Sequence, residues 1–154
     1  MIKSIDKQVL QQITKYCAKS EKCVSDVLKK LEPLDIDEKQ KLAIIDYLKK
    51  EKFIDEKRYA LAYTNEKIKL NKWGKRKIYW TLREKNISST DIDYALKSVN
   101  NVEYFEILKS ELKKKQSLFK NLPNNIIKRK LYAFGQQRGF EFELVQRAVD
   151  EILK

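Results

Sequence analysis

A chain of 154 residues, 42% of them hydrophobic, is long enough for one domain of ordinary size with a real core. Only 3 Gly and 2 Pro punctuate it, which argues against a sandwich or barrel built on Gly/Pro-rich turns. The net charge of +12 points to a polyanionic partner, while the lack of any His removes the commonest general base and the commonest metal ligand.

From the N-terminus, MIKSIDKQVLQQ shows no apolar signal core, and no apolar run in the chain is long enough to span a bilayer. A cytoplasmic protein that does not contact a membrane is therefore expected. The first predicted helix carries the stripe Val9, Leu10, Ile13, Tyr16 and Cys17. Cys17 and Cys23 fit neither a C-x-x-C redox motif nor a zinc pair, so buried free thiols are expected. LEPLDI (31–36) reads as a helix end and turn, and Ile44, Ile45 and Leu48 as the next apolar face. Tyr59, Ala60 and Tyr63 open another stripe. Gly74 is placed as an N-cap, because an Ile78/Leu82 stripe follows it; Trp73 before it suits a hydrophobic staple. LREKNI (82–87) is a second helix end, and Ser88 or Ser89 caps the stripe Ile92, Ala95, Leu96 and Val99. Tyr104, Phe105, Leu108 and Leu112 follow, then GQQRGF (135–140), then Leu144, Val145, Ala148, Val149 and Ile152.

These pieces recur. Ile36, Ile87 and Phe140 each end a capped turn, preceded by Asp35, Asn86 and Gly139, residue types that tolerate a left-handed backbone. Val27, Ile78 and Leu131 coincide upstream at the same offsets; Ile44, Ala95 and Ala148, then Ile45, Leu96 and Val149, coincide downstream. The expected fold is all-α, with three tandem three-helix repeats of roughly 50 residues stacked into an elongated, curved array. The repeats are placed at 1–50, 51–100 and 101–154.

Charge is uneven. Residues 1–50 are nearly balanced. One basic block holds Lys67, Lys69, Lys72, Lys75, Arg76, Lys77, Arg83 and Lys85; a second holds Lys113, Lys114, Lys115, Lys120, Lys128, Arg129 and Lys130. Lys75, Arg76 and Lys77 fall in a first helical turn, where each exposed cation opposes the macrodipole at about 0.3–1 kcal/mol. Free amides beside three cations would make an anion site. Trp80 projects away from Ile78 and Leu82, towards Arg76, Lys77 and Arg83. It either stacks on a base or fills a partner's pocket, or packs against the neighbouring repeat. The candidate contact set is these cations, Lys120 aside, together with Trp80.

Catalysis finds little support. GKRK (74–77) lacks the first Gly and the Ser/Thr of a phosphate loop. Asp35 and Asp37 have no second carboxylate cluster to complete a metal site, and Asp91 and Asp93 suit a helix start. A non-enzymatic binding protein without a cofactor is expected.

FIDEKRYALAYTNEKIKLNKWGKRKIYWTLREKNI (53–87) resembles the signature stretch of the RecX regulatory proteins. The matching features are Phe53-Ile54-Asp55-Glu56, Arg58-Tyr59-Ala60, Trp73-Gly74, and Ile78 with Leu82; NLPNNIIKRKLYAFGQQRGF (121–140) looks like the family's third repeat. Departures are Leu34-Asp35 and Lys85-Asn86, where the family often has Lys-Gly, and Trp80, where it usually has a polar residue. The resemblance implies a protein that binds the RecA recombinase filament on single-stranded DNA; a monomer is expected. It also implies that ATP hydrolysis, strand exchange and co-protease activity fall as a result. The competing expectation is a basic helical protein that binds DNA directly, with no filament partner.

Overall fold

The computed structural model describes residues 5–154; the first four residues of the N-terminal stretch read for a signal lie outside them. Among the described residues there are nine α-helices and no strand. They run α1 (Lys7–Lys19), α2 (Val24–Leu31), α3 (Glu38–Lys50), α4 (Glu56–Lys69), α5 (Lys75–Glu84), α6 (Ser89–Lys97), α7 (Asn101–Gln116), α8 (Asn124–Gln137) and α9 (Phe142–Ile152). None is long and apolar enough to cross a membrane.

Local chemistry sets most helix starts. Asp6, Asp37, Asp55, Ser88 and Asn100 each accept a backbone N–H from the first turn that follows, which satisfies one of the orphan donors there. The ends of α3, α5 and α8 share one device. Lys52, Asn86 and Gly139 adopt φ of 61°, 64° and 93°. The next residue then donates back five positions: Phe53 to the Leu48 carbonyl, Ile87 to Leu82 and Phe140 to Gly135. These are Schellman closures, each followed by an apolar residue turning into the core. The expected left-handed residues Asn86 and Gly139 are found. Asp35 is not among the left-handed residues: α2 ends at Leu31 on a tight turn, and the unit's left-handed cap falls one helix later, at Lys52. Lys72 also has positive φ, at 57°. A lysine in that conformation is strained by about 1 kcal/mol, so tertiary contacts must hold it.

The apolar stripes meet in two cores. Ile13, Cys17, Val27, Leu31, Ile44, Ile45, Leu48 and Ile54 form one, within α1–α3 and the segment after them. The second is continuous through α4–α9, from Ile78, Leu82 and Ile92 to Leu108, Leu131, Phe140 and Val149. Units two and three thus share one hydrophobic interior. Cys23, fully buried, belongs to that second core although it lies at the start of α2. Both thiols are free and buried, and burial pushes the Cys23 thiol up to about 11. The accessible surface is 10097 Å². A compact monomer of 18.4 kDa would expose about 8,200 Å². The excess is what an extended array of small units leaves uncovered.

The second and third units join backbone to backbone. The Gly74 amide donates to the Arg138 carbonyl at 2.7 Å, and the Arg76 amide to the Gly139 carbonyl at 2.9 Å. A Cβ on Gly74 would overlap the Gly139 carbonyl and the Phe140 nitrogen, and one on Gly139 would overlap Lys77. A Cβ on Gly135 meets only the Val145 methyls, at 2.8 Å. Gly74→Ala should therefore cost about 3 kcal/mol or more in urea unfolding, and Gly135→Ala clearly less, because a side chain can yield where a backbone cannot. Equal losses would show that the junction is not the tighter constraint.

Candidate partner interface on the second and third units

The start of α5 is where the sequence placed an anion site of free amides. The structure corrects this. Besides the Gly74 and Arg76 bonds, the Lys75 amide donates to the Tyr104 hydroxyl at 2.8 Å, and that hydroxyl donates to Glu141 Oε1 at 2.5 Å. Three amides of this terminus, those of Gly74, Lys75 and Arg76, are taken by the protein's own acceptors, because the third unit docks on it. Tyr104 is 1% exposed. Burial, and then its bond to Glu141, drive its hydroxyl pKa far up, so it remains a proton donor to the carboxylate. The dipole of α5 is thus answered through Tyr104 by Glu141 rather than by an external anion.

The side chains of the same turn remain outward. Lys77 Nζ lies 4.4 Å from the Trp73 ring centroid and Lys67 Nζ 5.0 Å from it, so two cations share one indole. Lys67 is also 5.2 Å from the Tyr63 ring, and Tyr63 meets Trp73 edge-on at 6.5 Å. Trp73 combines the packing role expected of it with a role as cation platform. Arg76 is exposed. Trp80 is 62% exposed, held edge-on by Tyr79 at 5.1 Å, and shares a surface hollow with Arg76, Lys77, Gln136, Gln137 and Gly139. Its ring therefore lies largely open at the edge of the neighbouring repeat. Lys75 Nζ reaches Asn101 Oδ1 at 3.4 Å and lies 5.0 Å from the Tyr104 ring.

The second basic block reaches this surface through a residue that the sequence reading missed. Lys115 Nζ lies 5.2 Å from the Phe134 ring, and the Arg138 guanidinium covers the same ring at 4.6 Å. Arg138 Nη1 then reaches the Lys72 carbonyl at 3.5 Å and Glu111 at 3.3 Å. Arg138 links the α7–α8 hairpin to the strained turn before Trp73. Its signal was in plain view in GQQRGF, read only as a cap column. One turn of α8 earlier, Lys130 Nζ lies 5.5 Å from Phe119. The outcome is a ridge of cations on aromatic faces, Lys130, Lys115, Arg138, Lys67 and Lys77, with Arg76 exposed beside Lys77. Each such contact is worth about 0.5–1 kcal/mol at an exposed site and, Arg138 with its Glu111 partner aside, leaves the positive charge uncancelled.

Other members of the candidate set are spent elsewhere. Lys69 pairs with Glu103 at 3.9 Å, Lys114 with Glu111 at 3.2 Å and Lys128 with Asp150 at 3.7 Å. Arg83 turns back to the Ile87 carbonyl at 3.4 Å, and Lys72 Nζ to that of Lys69 at 2.6 Å. Lys113 and Arg129 are exposed. Lys85 departs furthest from a free surface cation: half-buried, it pairs with Asp26 of the first unit at 3.0 Å. Beside it, Arg58 Nε clasps Glu21 at 2.8 Å and the Val24 amide donates to Glu56 at 2.9 Å. Lys85 belongs to a polar joint between units one and two. No group of His, Cys, Asp and Glu suited to a metal occurs among the described residues.

Tandem three-helix units carrying an outward ridge of cations on aromatic platforms define a basic, all-helical repeat protein. Residues 55–96 match the model of the RecX second three-helix domain and residues 102–149 that of the RecX third three-helix domain. The regulatory protein RecX of Clostridium acetobutylicum is 33% identical over 141 residues, 89% of this chain and 65% of that one. The Clostridium tetani protein of the same name is 32% identical over 90% of this chain and 64% of that one. A crystal structure of a regulatory protein RecX superposes with a TM-score of 0.85 at 25% identity, covering 93% of this chain and 72% of that one. RecX from Lactobacillus salivarius shares the fold, with a TM-score of 0.83 at 20% identity over 94% of each chain. The chain belongs to the RecX family. It spans just under two thirds of the length of these curated relatives.

The joint between units one and two titrates in a defined way. Burial raises the Asp26 carboxyl, but the Cys23 amide and the Lys85 ammonium outweigh it and hold the group below the usual Asp value. Burial lowers Lys85, and Asp26 more than reverses this. The pair's stability is therefore complete above about pH 4 and is lost as pH falls through the depressed Asp26 value. At the other end it is lost as pH rises through the raised Lys85 value. A double-mutant cycle of Asp26→Asn and Lys85→Gln should give a coupling of about 1 kcal/mol at pH 7, fading only below the ordinary Asp range as pH falls through the depressed Asp26 value. No coupling at pH 7 would remove Asp26 from the joint.

Proposed function

We propose that this chain binds the RecA recombinase filament assembled on single-stranded DNA and restrains it, lowering its ATPase, strand-exchange and co-protease activities. The ridge carries this reading: Arg76, Lys77, Lys67, Arg138 and Lys115 present positive charge on the surface of two joined units. A long acidic groove, part protein and part nucleic acid, is complementary to such a surface. Family membership supports the partner. In this reading the chain acts as a cytoplasmic, non-catalytic monomer with repeats at 1–50, 51–100 and 101–154. Units two and three form the contact block, because they share one core.

Trp80 favours a second reading. An exposed indole beside Arg76 and Lys77 is a platform on which a base can stack, a contact typically worth about 1–3 kcal/mol. Direct nucleic-acid binding without a filament would use the same hollow.

Co-sedimentation separates the two readings. At one salt concentration, the assembled filament should carry the protein down while bare single strands retain little of it; retention by bare DNA alone would sink the filament reading. Reversal of Lys75, Arg76 and Lys77 to Glu should abolish inhibition of the filament's ATPase. Helicity should survive, because acidic side chains suit a first turn and the Tyr104 contact is made by a backbone amide. Inhibition that persists in the folded variant would move the interface elsewhere.

A further inference from the structure

Units two and three each hold an aromatic ring that seats two cations between the first two helices of the unit. Trp73 holds Lys67 and Lys77, and Phe134 holds Lys115 and Arg138. Unit one has a counterpart. Lys22 Nζ lies 4.5 Å from the Tyr16 ring centroid and Lys30 Nζ 5.2 Å from it. Each of the three rings is half-buried. Each stands where a first helix meets a second: α1 with α2, α4 with α5, α7 with α8. Phe105 also carries two cations, Lys109 and Arg147, but both of these bond Glu151.

The Tyr16 pair keeps its charge. Lys22 donates to the Ser20 hydroxyl at 2.5 Å and to the Ser20 carbonyl at 3.1 Å, both neutral acceptors. Neither Lys22 nor Lys30 has a carboxylate partner among the described residues. The near balance of charge over residues 1–50 conceals this, because acids of unit one are engaged elsewhere. Asp6 and Asp37 cap helices, while Glu21 and Asp26 bond Arg58 and Lys85.

The platforms of units one and two flank one cleft. It has a volume of about 270 Å³, with Ser20, Glu21 and Asp26 on one wall and Tyr59, Tyr63 and Glu66 on the other. Lys22 is bonded to Ser20, and Lys67 lies 5.2 Å from the Tyr63 ring. Burial raises both the Tyr16 and the Tyr63 hydroxyl, and the charges of Asp26 and Lys85 are near enough to act on each. A phosphate chain laid from one platform to the next would pass three carboxylates, Glu21, Asp26 and Glu66, which repel it. The rings lie under their own cations, which leaves little open face for a base. Separate clusters of acidic side chains on a folded partner meet neither obstacle.

We infer that Tyr16, Lys22 and Lys30 form a third contact platform, which docks on acidic side chains of the partner's protein surface. The inference rests on the filament reading above and extends its contact surface from units two and three to unit one. The acids then belong to the recombinase rather than to the DNA strand.

The test uses the whole chain and the RecA filament preassembled on oligo-dT, with bare oligo-dT of the same length beside it. Lys22→Gln combined with Lys30→Gln should weaken filament affinity about tenfold, with helicity and Tm unchanged. Lys39→Gln combined with Lys50→Gln, on α3, removes the same charge and should leave affinity within about twofold. Carbodiimide, which joins an amine to a carboxylate in contact with it, should link Lys22 or Lys30 to the recombinase, as read by mass spectrometry. Undiminished filament affinity in the Lys22/Lys30 variant would overturn the third platform and leave the filament reading standing. An equal loss in the α3 variant would overturn it in favour of net charge alone. An equal loss on bare oligo-dT would give the platform to the strand and overturn it too. A wild-type chain that ignores the filament would sink the reading and the platform together.

Discussion

The backbone contact between Gly74 and Gly139 is the constraint on which the basic surface of units two and three depends. Two helix ends from different units meet there with no side chain between them, and two amides of one terminus bond carbonyls of the other turn. That approach brings Tyr104 within reach of the Lys75 amide and Glu141 within reach of Tyr104. It also presses Lys77 against Gly139 and brings Arg138 beside the turn before Trp73. The strained conformation of Lys72 fits the same account, since its carbonyl is an acceptor for Arg138.

The two joints between units differ in kind. Units two and three share a dry core and a backbone junction, and such a joint can move only by unpacking. Units one and two meet through Cys23 and a clasp of Glu21–Arg58, Glu56 with the Val24 amide, and Asp26–Lys85. Interfaces of that polar kind are typical of units that shift relative to one another. Electrostatics hold that joint, so salt and pH act on it as they cannot on the other.

The ridge shows how a protein keeps charge available. A lysine paired with a carboxylate presents little net field, whereas one resting on an aromatic face keeps its full charge at a fixed position. Lys67, Lys77, Lys115 and Arg138 rest on such faces, although Arg138 also reaches Glu111. The cations at the start of α5, unfavourable for that helix alone, sit where the helix terminus is already satisfied from within. Their electrostatic cost is offset locally, and their charge faces outward.

Read alone, the sequence determined the all-helical class, most caps and the apolar faces, because each depends on residues within a turn or two of one another. Asn86, Gly139, Ser88 and the buried Cys17 and Cys23 were legible for that reason. Basic blocks were legible as composition, and Trp80 as an exposed ring by helical phase. Which cations stay free was not legible, because Asp26, Glu103, Glu111 and Asp150 reach them only through the packing of helices or the turn of one. Nor was Arg138 visible as the link between the two blocks, or Tyr104 as the group that closes an apparent anion site. Those assignments rest on contacts between residues 27 to 66 positions apart, and only the packing of the helices brings them together.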